Sequence, residues 1–187
     1  MAPPSTPDPR SDADLVRALN AGDASAFDAL YYRHRDWVVR LAQRFTGNGD
    51  DALDVLQETF SYFFRKFPGF VLTASITTFL YPVVKNLSIA ARRKRTRQVQ
   101  LVEGDARPDP TAPAAVDYGK QREELAEVLA VLPEAHREVL LMRFVDGMSL
   151  IEIAEALAIP EGTVKSRLHN AVATLRRDER TVRYFQP

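Results

Sequence analysis

Cysteine is absent from the 187-residue chain, which excludes disulfide bonds, thiolate metal sites and a thiol nucleophile. Only three histidines occur, His34, His136 and His169, and they are too scattered to indicate a metal site. No uninterrupted apolar stretch approaches the roughly 20 residues that a membrane helix needs. The N-terminus lacks the basic start and apolar stretch of a signal peptide. We therefore expect a cytoplasmic protein without membrane insertion, bound metal or cofactor.

Acidic residues are missing from residues 59–102, which carry eight bases. The whole chain has 25 acidic and 25 basic residues and no net charge, so acidic flanks conceal this local excess. It ends in the string RRKRTR, Arg92 to Arg97. A local run of cations is typical of a surface that binds phosphate. The alternative is a solvated helix end whose cations complement the helix dipole.

Helical periodicity and turn residues predict an all-α protein with two small helical domains joined by a flexible linker. Residues 1–10 are rich in Pro and Ser and are predicted to be disordered. Four helices are expected in residues 11–97 and four more in residues 120–180. Residues 98–119 lack a pattern and contain three prolines, so we expect them to form the linker.

Several residues are expected to mark helix ends. Ser11 or Asp12 can cap the first helix and Asp23 the second, which Gly47 would end. Asp50 is expected to start the third helix. Pro82 lies inside the fourth helix, which we expect to run from about Ala74 to Arg97 with a kink near Thr78.

The predicted third helix carries carboxylates on steps of three and four residues. Asp51, Asp54 and Glu58 share one face, with Gln57 beside them. No nucleophile, histidine partner or glycine-rich phosphate loop accompanies them, so we expect no catalytic residues and no small-molecule substrate. A solvated acidic face and a docking face for a basic partner both remain open. The inward residues of this helix are predicted to be Ala52, Val55, Leu56, Thr59, Phe60 and Phe63.

The predicted fourth helix combines aromatic residues with a growing basic run. Phe79 and Tyr81 fit a helix core, which is the usual place for such residues. Followed by Lys85, Asn86 and a basic end, they also suit a surface for single-stranded DNA, on which bases stack while cations hold the backbone. The preceding loop, about residues 69–73, can receive an extruded base.

The string from Ser149 to Arg177 predicts a helix-turn-helix. Ser149 can cap its first helix, Gly162 lies in the predicted turn, and Thr163 is a candidate cap for the second helix. An apolar back would fix the crossing angle and leave polar residues on the first turns for the major groove. A plain helical hairpin with a solvated face is the alternative. The outward residues are Lys165, Ser166, Arg167, His169 and Asn170.

In these strings and their order the chain resembles the extracytoplasmic-function sigma factors of bacterial RNA polymerase. GDASAF resembles the opening helices of the family and DALDVLQETF its polymerase-binding helix. LYPVVKNLSIAARRKR resembles the helix that reads the −10 element. The C-terminal strings from LPEAHREVLL onward resemble the domain that reads the −35 element. The resemblance implies a transcription initiation factor whose partners are core RNA polymerase, promoter DNA and an anti-sigma factor.

The resemblance also implies roles for residues. The polymerase contacts would be Asp51, Asp54, Gln57 and Glu58. The −10 DNA contacts would be Lys85, Asn86, Arg92 and Arg93. The −35 DNA contacts would be Arg137, Thr163, Lys165, Ser166, Arg167, His169 and Asn170. This chain departs from the family pattern at Leu53, Phe79, Ala90, Leu150, Ile151 and Asn170, which bears on promoter sequence more than on function.

Two other classes of function are compatible with parts of the pattern. A response-regulator-like protein shares this type of helix-turn-helix, but it would need an α/β receiver domain, and residues 11–97 show no strand pattern. A sigma relative that has lost promoter activity and acts as an interaction protein is the second alternative. The departures at Phe79, Ala90 and Asn170 keep that alternative open, and an enzyme is a more distant third.

Overall fold

A computed structural model describes residues 8–103, 126–179 and 181, with the backbone alone for residues 99–103. These residues are helical or irregular, and none of them forms a strand. They fall into two compact units, one on each side of residue 116. The predicted all-α class is confirmed. The predicted linker lies mostly outside the described residues, as does the predicted disordered N-terminus up to residue 7.

The N-terminal unit is a bundle of four helices: α1 (Asp12–Asn20), α2 (Ala24–Thr46), α3 (Gly49–Phe64) and α4 (Ile76–Glu103). Helix α2 packs against each of the other three, and α3 also packs against α4. One face of every helix is buried, because apolar residues recur at three- and four-residue steps. The predicted inward residues of α3 are all buried. The largest completely buried side chains of the shared core include Tyr81, Phe63, Leu15, Leu30, Leu41, Ile76 and Leu80.

The ends of these helices agree in part with the expectation. Ser11 caps α1 in a capping box with Asp14, Asp23 caps α2, and Gly47 ends α2 in the left-handed conformation. Asp50 does not start α3 as predicted. The side chain of Asn48 accepts a hydrogen bond from the Asp51 amide, so the helix begins one residue earlier, at Gly49.

Helix α4 is longer than predicted. It runs through Pro82 and continues six residues past Arg97 to Glu103, into the stretch predicted as linker. The kink near Thr78 stays a prediction. Residues 8–10, which we predicted to be disordered, are held by hydrogen bonds instead. The guanidinium of Arg33 donates to the carbonyl oxygens of Asp8 and Arg10, both at 2.8 Å.

The C-terminal unit contains α5 (Glu134–Phe144), α6 (Leu150–Leu157) and α7 (Glu161–Arg177), and residues 126–130 are also helical. Helix α7 packs against both α5 and α6. Its core joins Leu132, Leu140 and Ala171, with Leu168 and Val172 packed against them. Of these positions, Leu168, Ala171 and Val172 lie in the predicted helix-turn-helix and were expected to face inward.

Candidate functional sites

The outer face of α3 presents acidic and polar side chains to solvent. Asp54, Gln57 and Glu58 are all exposed. Leu53 beside them is half exposed. The face is therefore accessible along more than one turn and carries negative charge, as a docking surface for a basic partner requires.

Asp51 differs from these neighbours. Its Oδ2 accepts a hydrogen bond from Nη1 of Arg95 on α4, and Nη2 of Arg95 donates to the Thr46 carbonyl oxygen at 2.8 Å. Thr46 is the last residue of α2, where helix carbonyl groups lack intrahelical partners. Arg95 thus joins three helices. Of the four predicted polymerase contacts, the structure brings three onto one exposed face and turns Asp51 toward the bundle.

The basic half of α4 contains both exposed and partly buried cations. Arg93, Lys94 and Arg97 are exposed, as is Asn86. Lys85 is partly buried, and its Nζ lies 5.9 Å from the centre of the Phe45 ring. Arg92 is also partly buried. Asn86 and Arg93 are two helical turns apart, which places them on the same side of α4.

The two aromatic residues of α4 take different positions. Tyr81 is completely buried in the core of the N-terminal unit, so it is not a surface for stacking bases. Phe79 is partly buried in an aromatic cluster with Phe63, Phe70 and Tyr62, and its centroid lies 4.9 Å from that of Phe70. For Tyr81 the core interpretation is therefore confirmed.

The loop between α3 and α4 is anchored rather than free. Asn20 at the end of α1 binds Gly69 and Phe70 through hydrogen bonds of 2.7 Å each. Val71, by contrast, is 74% exposed. Sequence reasoning missed Asn20 and Arg95. Both contact residues more than forty positions away, which no local spacing reveals.

The helix-turn-helix comprises α6, a short turn and α7. Ser149 caps α6 in a capping box with Glu152, as predicted for Ser149. The turn depends on Ala158, which ends α6 in the left-handed conformation at φ 52°. Gly162, which we expected in the turn, lies inside the first turn of α7 instead.

The start of α7 also corrects the prediction for Thr163. Pro160 occupies the N-cap position, without a side-chain cap, and the Thr163 amide donates to the Pro160 carbonyl oxygen at 2.9 Å. Thr163 is therefore within the helix and is not its cap. The predicted DNA contacts Lys165, Ser166, His169 and Asn170 are exposed, and Arg167 is partly buried.

Other parts of the C-terminal unit support this arrangement. Arg137 on α5 is partly buried. Arg143 donates to the Met148 carbonyl oxygen at 3.0 Å, which ties the end of α5 to the residue before Ser149. Lys165 forms an ion pair with Glu161 one turn earlier, with Nζ and Oε1 2.7 Å apart.

Two further kinds of site are absent from the described residues. Within these residues no three His, Cys, Asp or Glu side chains come together in a group able to hold a metal ion. Likewise, no helix in the described part of the chain has the length and apolar character to span a membrane.

Comparison with known proteins agrees with this division into two units. The family model for Sigma-70 region 2 matches residues 30–98, and that for Sigma-70, region 4 matches residues 122–175. The ECF RNA polymerase sigma factor SigL of Mycobacterium tuberculosis is 36% identical over 164 residues, which cover 86% of this chain and 93% of that protein. SigW of Bacillus subtilis, also named an ECF RNA polymerase sigma factor, is 29% identical over 181 residues, 88% of this chain and 95% of that one.

The solved structures that share the fold include the following two. CnrH, determined in complex with the cytosolic domain of CnrY, has a TM-score of 0.64 at 23% identity and covers 88% of this chain and 94% of its own. The sigma factor RpoE of Bartonella quintana, determined with the anti-sigma factor NepR, has a TM-score of 0.63 at 21% identity, with coverages of 87% and 100%. The matching models, the SigL relative and the fold together show that this chain belongs to the ECF sigma factors, which direct RNA polymerase to promoters.

Proposed function

We propose that this sigma factor divides its work among three surfaces, each of which the structure presents to solvent. The exposed face of α3, with Asp54, Gln57 and Glu58, docks on core RNA polymerase. The basic half of α4 and the loop of residues 69–73 engage the −10 element. The first turns of α7 enter the major groove at the −35 element. The observation that carries the proposal is the separation of charge between exposed carboxylates on α3 and exposed cations on α4.

Asp51 is reassigned in this proposal. Its carboxylate is bound by Arg95, so it stabilises the junction of α2, α3 and α4 and leaves docking to the three exposed residues. An arginine that already has two acceptors within the bundle also contributes less to phosphate binding than Arg93, Lys94 or Arg97. The −10 contacts on α4 are then Lys85, Asn86, Arg92 and Arg93, and we add Lys94 and Arg97.

The loop of residues 69–73 is proposed to assist opening of the duplex. An unstacked base of the non-template strand would enter beside the exposed Val71 while cations of α4 hold the backbone. At the −35 element, Lys165 or Arg167 would bond guanine, Asn170 adenine, and Ser166 a base edge or phosphate. His169, Thr163 and Arg137 would contact the same duplex from α7 and α5. In this mechanism the chain supplies binding and no catalytic group, and it acts in the cytoplasm, where polymerase works.

An anti-sigma factor is proposed as a further partner. The structure of RpoE was determined with one, and this chain shares its fold. Exposed apolar side chains occur in both units, including Leu53 and Phe64 on α3 and Phe144 and Ile151 in the C-terminal unit. Such residues are typical of surfaces that another protein covers.

Run-off transcription on a genomic fragment library, with core polymerase and the purified chain, tests the proposal. We expect discrete transcripts that depend on the chain and share −10 and −35 sequences. If the chain binds core polymerase but no promoter is ever used, promoter recognition by this chain is wrong and the interaction protein is the better interpretation.

A further inference from the structure

Asn20 holds the loop between α3 and α4 by its backbone. Its Nδ2 donates to the carbonyl oxygen of Phe70 at 2.7 Å, and its Oδ1 accepts from the amide of Gly69 at 2.7 Å. One uncharged amide side chain thus satisfies both a donor and an acceptor of the loop. Asn20 precedes the part of the chain that the region 2 family model matches.

The same end of the loop is also held by packing. The Phe70 ring lies 4.9 Å from the centroid of Phe79, 5.5 Å from that of Phe63 and 5.5 Å from that of Phe67. Gly69 has a φ of +101°, a conformation that glycine adopts without strain. The backbone at residues 69 and 70 is therefore constrained from two sides.

The other end of the loop is closed by the start of α4. The Ser75 hydroxyl accepts from the Thr78 amide at 3.2 Å, in the manner of an N-cap. Between the two anchored ends lie residues 71–74, in which Val71 and Thr73 are exposed. A short exposed segment with fixed ends keeps its shape when a ligand arrives, which lowers the entropy lost on binding.

We infer that Asn20 is a positioning residue for recognition of an extruded promoter base. It acts through the backbone of Gly69 and Phe70, and it sets the shape of residues 71–73 before DNA binds. This inference rests on the proposed role of the loop in the −10 interaction. Helix α1 is not part of the proposed DNA surface, but through Asn20 it would affect base preference.

The test uses holoenzyme assembled from core polymerase and the full chain, on a promoter identified by run-off transcription. Base preference is the ratio of open-complex formation rates between the native base and each substituted base of the non-template −10 strand, measured by 2-aminopurine fluorescence. Asn20→Asp keeps the acceptor for Gly69 but loses the donor to Phe70, and Asn20→Ala loses both. We expect Asn20→Asp to reduce the preference about fivefold at one −10 position, as loss of one hydrogen bond implies. Asn20→Ala, which loses both hydrogen bonds, should reduce it at least as much.

Two controls separate positioning from stability and charge. Asn48→Asp adds the same charge in the same unit and retains the acceptor that caps α3. It should leave base preference unchanged. Affinity for core polymerase and sensitivity to −35 substitutions should also be unchanged in both Asn20 variants, because neither depends on the loop. If the Asn20 variants slow every promoter variant by the same factor, Asn20 is merely structural and the inference is overturned.

A loop variant distinguishes failure of the inference from failure of the proposed function. Val71→Ala combined with Thr73→Ala changes the exposed segment itself. If this variant alters base preference while the Asn20 variants do not, the loop reads DNA but Asn20 does not position it. If the loop variant has no effect on base preference at any −10 position, the proposed role of the loop is wrong and the inference fails with it.

Discussion

Asp51 on α3 and Arg95 on α4 form an ion pair that joins the helix assigned to polymerase docking to the helix assigned to promoter DNA. Both side chains are partly shielded from solvent, and Arg95 also binds the terminal carbonyl of α2 at 2.8 Å. The carboxylates of Asp54 and Glu58, on the same helix, are exposed to solvent. Sequence spacing placed Asp51 with Asp54 and Glu58, whereas packing of α4 gives Asp51 a different environment from the exposed pair.

Loss of this ion pair should lower the free energy of unfolding of the N-terminal unit and should affect affinity for core polymerase less. We expect Asp51→Asn and Arg95→Gln each to reduce the free energy of unfolding of the N-terminal unit by about 1 kcal/mol. In a double-mutant cycle the coupling should be about 0.5–1 kcal/mol. Urea unfolding followed by tryptophan fluorescence measures this unit alone, because Trp37 on α2 is the one tryptophan of the chain.

Arg93 provides the control for that cycle, since it is exposed two residues before Arg95 on the same helix. Coupling between Asp51→Asn and Arg93→Gln should be close to zero. Equal coupling with both arginines would indicate a general charge effect instead of a specific contact.

Reversal of charge on the exposed face of α3 should instead weaken polymerase binding and leave the fold intact. We expect the double variant Asp54→Lys and Glu58→Lys to weaken core polymerase binding about tenfold or more while the N-terminal unit stays folded. Fluorescence anisotropy of labelled chain titrated with core polymerase measures the affinity. The double variant Glu127→Lys and Glu155→Lys, at exposed carboxylates of the other unit, makes the same change in net charge. Similar affinity in the two double variants would contradict the docking assignment.

The buried side of each helix was predictable because helical periodicity depends only on local spacing. All six predicted inward residues of α3 are buried, and Ser149, Asp23 and Gly47 act as predicted at helix ends. A cap or an apolar stripe is specified by residues within one or two turns. The two helical units follow from the same local signals.

Contacts between residues far apart in the sequence could not be predicted from local spacing. Asn20 binds a loop fifty residues later, and Arg95 binds a carboxylate forty-four residues earlier. Neither residue type nor spacing marks them, since asparagine at a helix end and arginine in a basic run have ordinary local roles. Ala158 was missed for another reason: glycine is usual in the left-handed conformation, which drew the turn prediction to Gly162.

Asp12 should contribute to acid sensitivity. Its carboxylate binds Arg33 at 2.6 Å and His34 at 2.9 Å. Burial opposes ionisation of Asp12, but its hydrogen bonds and charge interactions with His34 and Arg33 prevail and hold its pKa below the ordinary 3.8. Because the folded pKa is depressed, the stabilisation is complete above the ordinary Asp pKa and is lost as pH falls through the folded pKa.

Asp12→Asn should therefore lower Tm at pH 7 by about 2–5 °C. The difference in Tm from the wild type should shrink below about pH 4, where the wild-type carboxyl takes up its proton. Thermal unfolding followed by Trp37 fluorescence at a series of pH values measures both effects. Asp36→Asn, at an exposed carboxylate of α2, serves as the control. A difference in Tm that does not change with pH would contradict the role of the Asp12 charge.

Ala158 should be a site of strain in the helix-turn-helix. It has a φ of 52°, and a non-glycine residue in this region costs about 1–2 kcal/mol. We expect Ala158→Gly to relieve this strain and to stabilise the C-terminal unit by about 1 kcal/mol. The greater conformational entropy that glycine gives the unfolded chain reduces this gain. Gly162→Ala should also stabilise it, by less than about 1 kcal/mol, since a Cβ there meets no atom within 4 Å. Circular dichroism at rising urea concentration measures both, and destabilisation by Ala158→Gly would contradict the left-handed turn.

Lys165 should contribute a cation to the −35 interaction. It is exposed on the second turn of α7, and its ion pair with Glu161 is of the exposed kind worth only about 0.3–0.5 kcal/mol, so a phosphate can displace it. We expect Lys165→Ala to weaken holoenzyme binding to a duplex −35 promoter and to reduce the slope of log affinity against log salt by about one. Arg177→Ala removes the same charge about 18 Å further along the helix axis and should leave the slope unchanged. Equal effects of the two substitutions would show that α7 attracts DNA by its total charge, without the orientation proposed for its first turns.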